Sequence, residues 1–494
     1  MNQDNLTEKQ IGVNGLSSTA VFLPAISGFY ATFVGKQRAG NYVDPARMPV
    51  GLHDMEMLNW LHPQRSLFPY KWSLYSAGHA NLDLSKPDTS EDMVRNRDPG
   101  SIMLGDSGGF QIAKGLWEGD WKANSGCAKA QKKRAAVLTW LDNIADYAMS
   151  LDIPTWVVQD NKASIACKIS THQEAVDASR FNNEYFMQHR KGVSNGGARF
   201  LTVLQGATHA EADDWYDTMK EYCDPNKYPD KHFDGWGMGG QNMCDVHLVL
   251  KRLVALRHDN LLQQGKHDWM HFLGTSKLEW AVLLTVIQRV IRKYVNPNFT
   301  ISFDCASPFL ATANGQVYFE NVFPHDGKWS YRMAPSADDK KYSTDTRKWS
   351  TGVVADGIYK NWTESPISDL LTMKDICIYK PGDLNKAKKE GRTSWDSFGY
   401  ALLMAHNVWM HLTAVQEANR RFDAGEHPAM MQYSAPSGEY FEDIVDSIFA
   451  APDQQTSLDI IEHYNNYWME IIGTRGRKGK KTVNSLTQFN ALFN

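Results

Sequence analysis

Six cysteines in 494 residues, at positions 127, 167, 223, 244, 305 and 377, include no CxxC pair. So few and so scattered, they offer no disulfide framework, and the chain reads as a reduced, cytoplasmic protein. No apolar run reaches the roughly 18 residues that a membrane span requires. The longest apolar helical stretch, Trp280 to Val290, is interrupted by Thr285, Gln288 and Arg289. The N-terminus lacks the basic-then-apolar layout of a secretory signal, so neither export nor membrane insertion is expected. Positive charge is not in excess either: 52 basic residues face 56 acidic ones, for a net charge of -4. Any contact with nucleic acid must therefore come from a local patch. There is no GxGxxG turn after the first strand-like run and no GxxxxGK[ST] loop, which argues against dinucleotide and P-loop chemistry.

What is present is core. The composition is 42% hydrophobic and 22% charged, with 16 tryptophans whose main expected use is packing. Eight short β-rich runs recur: Ala20–Ile26, Trp72–Ala77, Ser101–Gly105, Pro154–Gln159, Phe200–Leu204, Phe233–Met238, Met270–Leu273 and Thr300–Phe303. Between them, apolar residues at i, i+3 and i+4 predict helices over Arg134–Leu151, His172–Arg190, Ala210–Tyr222, Val246–Leu256 and Leu278–Tyr294. Alternating strands and helices imply parallel strands with right-handed crossovers, and a (β/α)8 TIM-like barrel closes them most economically. A doubly wound open sheet is the runner-up. The barrel is expected over residues 1–322. Residues 323–494 are expected to form a mostly helical accessory region: loop-rich over 324–395, then long amphipathic helices over Ser394–Phe422 and Tyr440–Ile472.

Barrels of this kind gather their chemistry at the C-terminal ends of the strands. The residues predicted there are Asp106, Asp160, Gln205-Gly206, Gly239-Gly240, Gly274-Thr275 and Asp304. An aspartate after a strand is often only a helix N-cap. Several carboxylates, an amide and exposed glycine backbone at successive strand ends form a different pattern. Two carboxylates on neighbouring strand ends can break and remake a glycosidic bond, one as nucleophile and one as acid/base. Asp160 can accept two parallel N–H bonds from a guanine-like edge, Gln205 can donate to O6, and Gly239-Gly240 lets backbone approach the same oxygen. Phe110 can stack on the base, or simply pack behind its loop.

At these residues the sequence resembles the guanine transglycosylase family, pentosyltransferases that exchange guanine in nucleic acid for a 7-deazaguanine. Asp106-Ser107-Gly108-Gly109-Phe110-Gln111 matches that family's DSGG(Y/F)Q signature. Val203-Leu204-Gln205-Gly206 is similar to its VQG segment. Phe233-Asp234-Gly235 through Gly240 is similar to its FDG…GG, and Phe303-Asp304-Cys305 with Ala313-Asn314-Gly315 to its FDC…NG. The resemblance implies that Asp304 is the nucleophile at C1′, and that Asp106 is the general acid/base. It also implies that Asp160, Gln205 and Gly240 read the base, while Gly274 and Leu273 close the pocket. No cofactor is implied.

The chain departs from that pattern in ways that bear on its substrate. The CxCxxC…His zinc site of the transfer-RNA enzymes is missing, since only Cys377 follows Cys305. No metal is therefore expected, and the family's usual homodimer is not implied. Ser307–Thr312 lacks the expected basic residues, and Gln241 stands where those enzymes usually have leucine. These departures look more like the DpdA-type 7-deazaguanine DNA transglycosylases of phages and mobile elements, which place preQ0 or related bases in DNA. Such an enzyme would work in the host cytoplasm. DNA is the expected partner, with tRNA the alternative, and a non-catalytic nucleic-acid-binding subunit is a third reading. Arg475, Arg477, Lys478, Lys480 and Lys481 form a glycine-spaced basic run suited to phosphates, or a solvated tail. Lys386–Arg392 and Lys132-Lys133-Arg134 are shorter candidates. His406 and His411 lie off a common helical face, and Cys244 with His247 lacks a second ligand pair, so neither reads as a metal site.

Overall fold

Parallel pairing links eight strands in the computed structural model, which describes residues 17–36, 44–85, 91–229, 231–379, 395–434 and 438–474. They are β1 (Val21–Pro24), β2 (Trp72–Ser76), β3 (Ile102–Asp106), β4 (Tyr147–Met149), β5 (Arg199–Leu204), β6 (Gly235–Met238), β7 (Trp269–Phe272) and β8 (Thr300–Cys305). Their order is β1-β8-β7-β6-β5-β4-β3-β2. The seam between β1 and β2 is bridged where Ala25 pairs with Leu74 and the Ile26 N–H donates to the Leu74 carbonyl at 2.9 Å. The result is a nearly closed, TIM-like α/β barrel. Every residue of β1, β2, β6, β7 and β8 is buried. Strands covered on both faces read as unbroken apolar runs, which is why VFLP and TISF stood out in the sequence.

The outer layer includes α1 (Gly28–Lys36), α2 (Ala128–Ile144), α3 (His172–His189), α4 (His209–Met219), α5 (Val246–His258) and α6 (Leu278–Tyr294). Side-chain caps start three of them. Thr171 accepts from the Glu174 N–H, Thr208 from Glu211, and Asp245 from Leu248, each cap worth about 1 kcal/mol. Trp215 and Trp236 are wholly buried and satisfy their indole N–H groups on the Val203 and Leu261 carbonyls. Truncating such a ring costs about 3–5 kcal/mol.

Strand four differs from the sequence expectation. It is the three-residue Tyr147–Met149, paired with Leu104-Gly105 on one side and Arg199–Leu201 on the other. The predicted helix over Arg134–Leu151 absorbed it, whereas α2 ends at Ile144. Pro154–Gln159 forms no strand. Pro154 lacks an N–H for a ladder, and Thr155–Gln159 coils into a 3-10 turn that buries Thr155 and Val157. The β-branched content of that stretch serves turn packing instead.

Beyond β8 the chain adds more than helices. β9 (Gln316–Val322) and β10 (Ser330–Pro335) form an antiparallel hairpin that straddles residue 322, so strand structure enters the region expected to be mostly helical. α7 (Ser397–Asp423) is buried almost all round, as befits a core helix rather than an amphipathic surface one. It lies against α6 and the short helix Ser307–Ala313. The predicted Tyr440–Ile472 helix is three: α8 (Phe441–Ala450), α9 (Gln454–His463) and α10 (Asn465–Thr474). Pro452 breaks the first from the second, and Asp453 caps the second through the Thr456 N–H. α8 covers α6, while α9 and α10 cover α5. Thr285 donates to Asn419 at 2.7 Å, and Arg257 to the Phe449 carbonyl at 2.7 Å. One apolar core runs through barrel and C-terminal helices alike. No helix among the described residues is long and apolar enough to cross a membrane.

Candidate active site

Asp106 is the last residue of β3, and Asp304 the penultimate residue of β8. The Ser76 hydroxyl, at the end of β2, donates to Asp106 Oδ2, and the Gly108 N–H lies 3.4 Å from Oδ1. Burial raises the Asp106 carboxyl above the usual carboxylate range. The Ser76 and Gly108 bonds oppose that shift, the Asp304 charge adds to it, and His271 reduces it. The two aspartates therefore share one electrostatic environment, although they come from opposite ends of the barrel sequence.

Asp304 is 4% exposed. Its Oδ1 accepts the Gly274 N–H at 2.9 Å and lies 3.2 Å from His271 Nε2. Gly274 reaches it from a left-handed conformation, φ 64°, that a side chain would strain. Oδ2 accepts no hydrogen bond among the described residues. Half of this carboxylate is held and half is free.

A third carboxylate was missed in the sequence. Asp152 lies just after β4, where mistaking that strand for Pro154–Gln159 hid it. It is buried, and its Oδ2 accepts from Gln205 Nε2 at 2.8 Å. Burial lifts its pKa to about 7; the Gln205 bond pulls the other way, and the Asp106 charge adds to the rise. Asp160, by contrast, sits beyond the 3-10 turn. Its Oδ1 accepts the Lys162 and Ala163 N–H groups at 2.9 and 3.2 Å and caps the helix Asn161–Cys167. Asp152, not Asp160, thus holds the position just after the fourth strand.

Gln205 follows β5 and is buried. The Gly239 N–H donates to the Leu204 carbonyl at 2.9 Å, and a Cβ at 239 would stand 2.6 Å from Gln205 Nε2. The glycine there leaves room for that amide. Gly240 opens the turn Gly240–Met243, and the Gln241 N–H donates to the Gly206 carbonyl at 2.7 Å. The Gln241 side chain donates to Asp245, whose same oxygen lies 2.9 Å from His209 Nε2. Leu273, half-buried, precedes Gly274 on the loop after β7.

Phe110 is half-buried and pairs with Trp156, ring centroids 5.9 Å apart. Lys114 Nζ lies over both rings, at 5.7 and 5.1 Å. Trp156 comes from the 3-10 turn and was not foreseen.

Of the basic patches, Arg475, Arg477, Lys478, Lys480 and Lys481 lie outside the described residues, as does Lys386–Arg392. Arg134 is no surface cation: it is buried, donates to Asn182 at 2.6 Å, and spreads over the rings of Trp121, Phe181 and Tyr185. Lys133 covers Trp117, and Lys132 is exposed. Among the described residues no group of three or more His, Cys, Asp or Glu side chains is arranged for a metal ion. His406 bonds Ser365 and the Tyr318 carbonyl, whereas His411 packs on Phe22 beside Cys305. Set against known proteins, no family model matches the chain, and no curated protein matches it in sequence.

Proposed function

We propose that the chain is a DNA guanine transglycosylase, exchanging guanine for a 7-deazaguanine base such as preQ0 through a covalent aspartyl-glycosyl intermediate. The observation that carries this reading is the division of labour between Asp304 and Asp106. One is a carboxylate with a single unbonded oxygen; the other is a buried carboxyl biased toward its protonated form.

In the first step Asp304 Oδ2 attacks C1′ and the C1′–N9 bond breaks. The bonding pair leaves with guanine, which takes a proton from Asp106. In the second step the incoming base gives its N9 proton to Asp106 and its N9 attacks C1′, releasing Asp304 as a carboxylate. Two displacements retain the configuration at the sugar. One glycosidic bond replaces another, so no nucleotide hydrolysis is needed. Asp152 and Gln205 form a carboxylate–amide pair suited to the N1–H, amine and O6 edge of guanine, and Phe110 with Trp156 offers aromatic faces for stacking. A base in a duplex must first leave the stack to reach such a site.

The choice of DNA over tRNA rests on the sequence: the zinc-site cysteines are missing and the C-terminal region differs. The test is exchange of radiolabelled guanine into duplex DNA, single-stranded DNA and unmodified tRNA, with trapping of the covalent adduct. Label in DNA supports the proposal. Label in tRNA alone transfers the activity to the other polymer, and no label or adduct with any of them leaves a non-catalytic binding subunit. Asp304→Asn should reduce exchange by at least about a thousandfold and abolish the adduct. A variant that still exchanges would mean that the nucleophile is misassigned.

A further inference from the structure

The register between β7 and β8 pairs Trp269 with Thr300 and His271 with Ser302. Side chains two residues apart on a strand share a face. Trp269 and His271 therefore project on the same side of the sheet as Ser302 and Asp304, forming a W-x-H beside an S-x-D. Trp269 Nε1 donates to Ser302 Oγ at 2.9 Å, Ser302 Oγ lies 2.8 Å from His271 Nδ1, and His271 Nε2 lies 3.2 Å from Asp304 Oδ1. His271 and Ser302 are wholly buried. The indole is fixed in turn between the rings of Trp72 and Tyr147, at 5.5 and 4.6 Å.

Hydrogen counting sets the direction of this chain. An indole N–H can only donate, so Ser302 Oγ accepts from Trp269 and has one hydrogen of its own to give. Among the described residues only His271 Nδ1 is placed to accept that hydrogen, which makes it the bare nitrogen. The ring proton sits on Nε2 and points at Asp304. An imidazolium would place a second proton on Nδ1 and leave the buried hydroxyl hydrogen without an acceptor.

We propose that His271 is the positioning residue for Asp304, locked by the Trp269–Ser302 relay as the neutral Nε2–H tautomer so that Oδ1 is held and Oδ2 is the attacking atom. The proposal rests on the transglycosylase reading. Two N–H donors, His271 and Gly274, converge on Oδ1. They bind a full carboxylate more strongly than an ester carbonyl. Their larger effect therefore falls on the second displacement, where Asp304 leaves and negative charge returns to Oδ1. The relay does not touch the sugar or the base.

Three measurements test this. In ¹⁵N spectra of the imidazoles, with His271→Gln identifying the His271 signals, wild-type protein should show a protonated Nε2 and an unprotonated Nδ1. Ser302→Ala should lose that preference. In a single-turnover experiment with labelled guanine-containing DNA, chasing the trapped adduct with free guanine, His271→Leu should slow adduct decay about ten- to hundredfold. His271→Gln, which keeps a side-chain N–H, should recover most of that loss and stay folded if leucine does not. A bare Nε2 in the wild type, or adduct decay in His271→Leu at the wild-type rate, overturns the proposal. A wild-type protein that forms no adduct on DNA or tRNA overturns the transglycosylase reading and the positioning role with it, while the tautomer assignment stands or falls on the spectra alone.

Discussion

Two regions of this molecule bury polar side chains, and they do so in opposite ways. At the barrel mouth, Asp106, Asp152 and Asp304 are crowded together, each keeps a limited set of partners, and two of them are pushed toward their neutral forms. Behind the barrel, α7 buries His406 and Asn407, and backbone and hydroxyl groups satisfy them. Asn407 accepts the Tyr318 N–H at 2.9 Å and donates to Thr312 at 3.0 Å and to the Pro308 and Gln316 carbonyls, both at 3.2 Å. His406 is clasped between Ser365 and the Tyr318 carbonyl, both at 2.8 Å. One arrangement leaves electrostatic tension unrelieved in the fold; the other removes it. Tension retained in a structure is the mark of a site, and complete satisfaction is the mark of a staple.

The comparison breaks most readily at the staple. Asn407→Ala strips partners from the start of β9 and from the helix Ser307–Ala313 together, leaving buried N–H and C=O groups unpaired. The expected loss is about 4 kcal/mol, visible as a lower denaturation midpoint, with exchange by the remaining folded protein unchanged. If instead stability holds and exchange falls, α7 is part of the chemistry and the contrast between the two regions fails.

At the mouth the sign reverses. The folded pKa of Asp152, about 7, lies above its ordinary value of 3.8. Between those values the folded protein holds a proton that the unfolded chain has released. The associated stability is complete below about pH 4 and lost as pH rises through about 7. Asp152→Asn abolishes the titration while leaving an oxygen for Gln205. The variant should match wild type near pH 4 and exceed it by about 4 kcal/mol at pH 8, as urea unfolding at the two pH values would report. Guanine binding should behave conversely. On the proposed reading, in which the base donates to the Asp152 carboxylate, wild-type binding should strengthen as pH rises to about 7 and then level, and should be lost in Asp152→Asn. A flat pH response in wild-type stability would mean that Asp152 ionises freely and that the mouth is not under tension.

How much of this was legible in the sequence follows the same division. Seven of the eight strands were visible because a strand buried on both faces needs an apolar run. β4 was not, because three residues carry too little pattern and the helix before it continues the apolar spacing. That one miss displaced the reading of the third carboxylate from Asp152 to Asp160. Asp106, Gln205, Gly239-Gly240 and Asp304 were legible because a polar or glycine residue ending an apolar run is anomalous in itself. His271 was not, since a histidine inside a strand signals nothing until its register against Ser302 and Asp304 is known. The hairpin β9–β10 escaped notice because its β10 residues are all exposed or half-buried, so no apolar run marks the strand.

The smallest effect sharpens that lesson most. Asp160 and Asp152 stand on either side of one 3-10 turn, and Asp152 feels the Asp106 charge while Asp160 caps a helix. Asp160 spends its Oδ1 on two backbone N–H groups of the helix that follows. Asp160→Ala should therefore cost about 1 kcal/mol as a lost N-cap, with Asp160→Asn recovering most of it, and neither change should alter guanine exchange or its pH dependence. A cap requires only an oxygen near N2 and N3, which asparagine supplies, whereas recognition of two N–H donors requires a carboxylate, which it does not. If Asp160→Asn abolished exchange while Asp152→Asn preserved it, the turn would have to present Asp160 to the base, and the assignment drawn from β4 would be reversed.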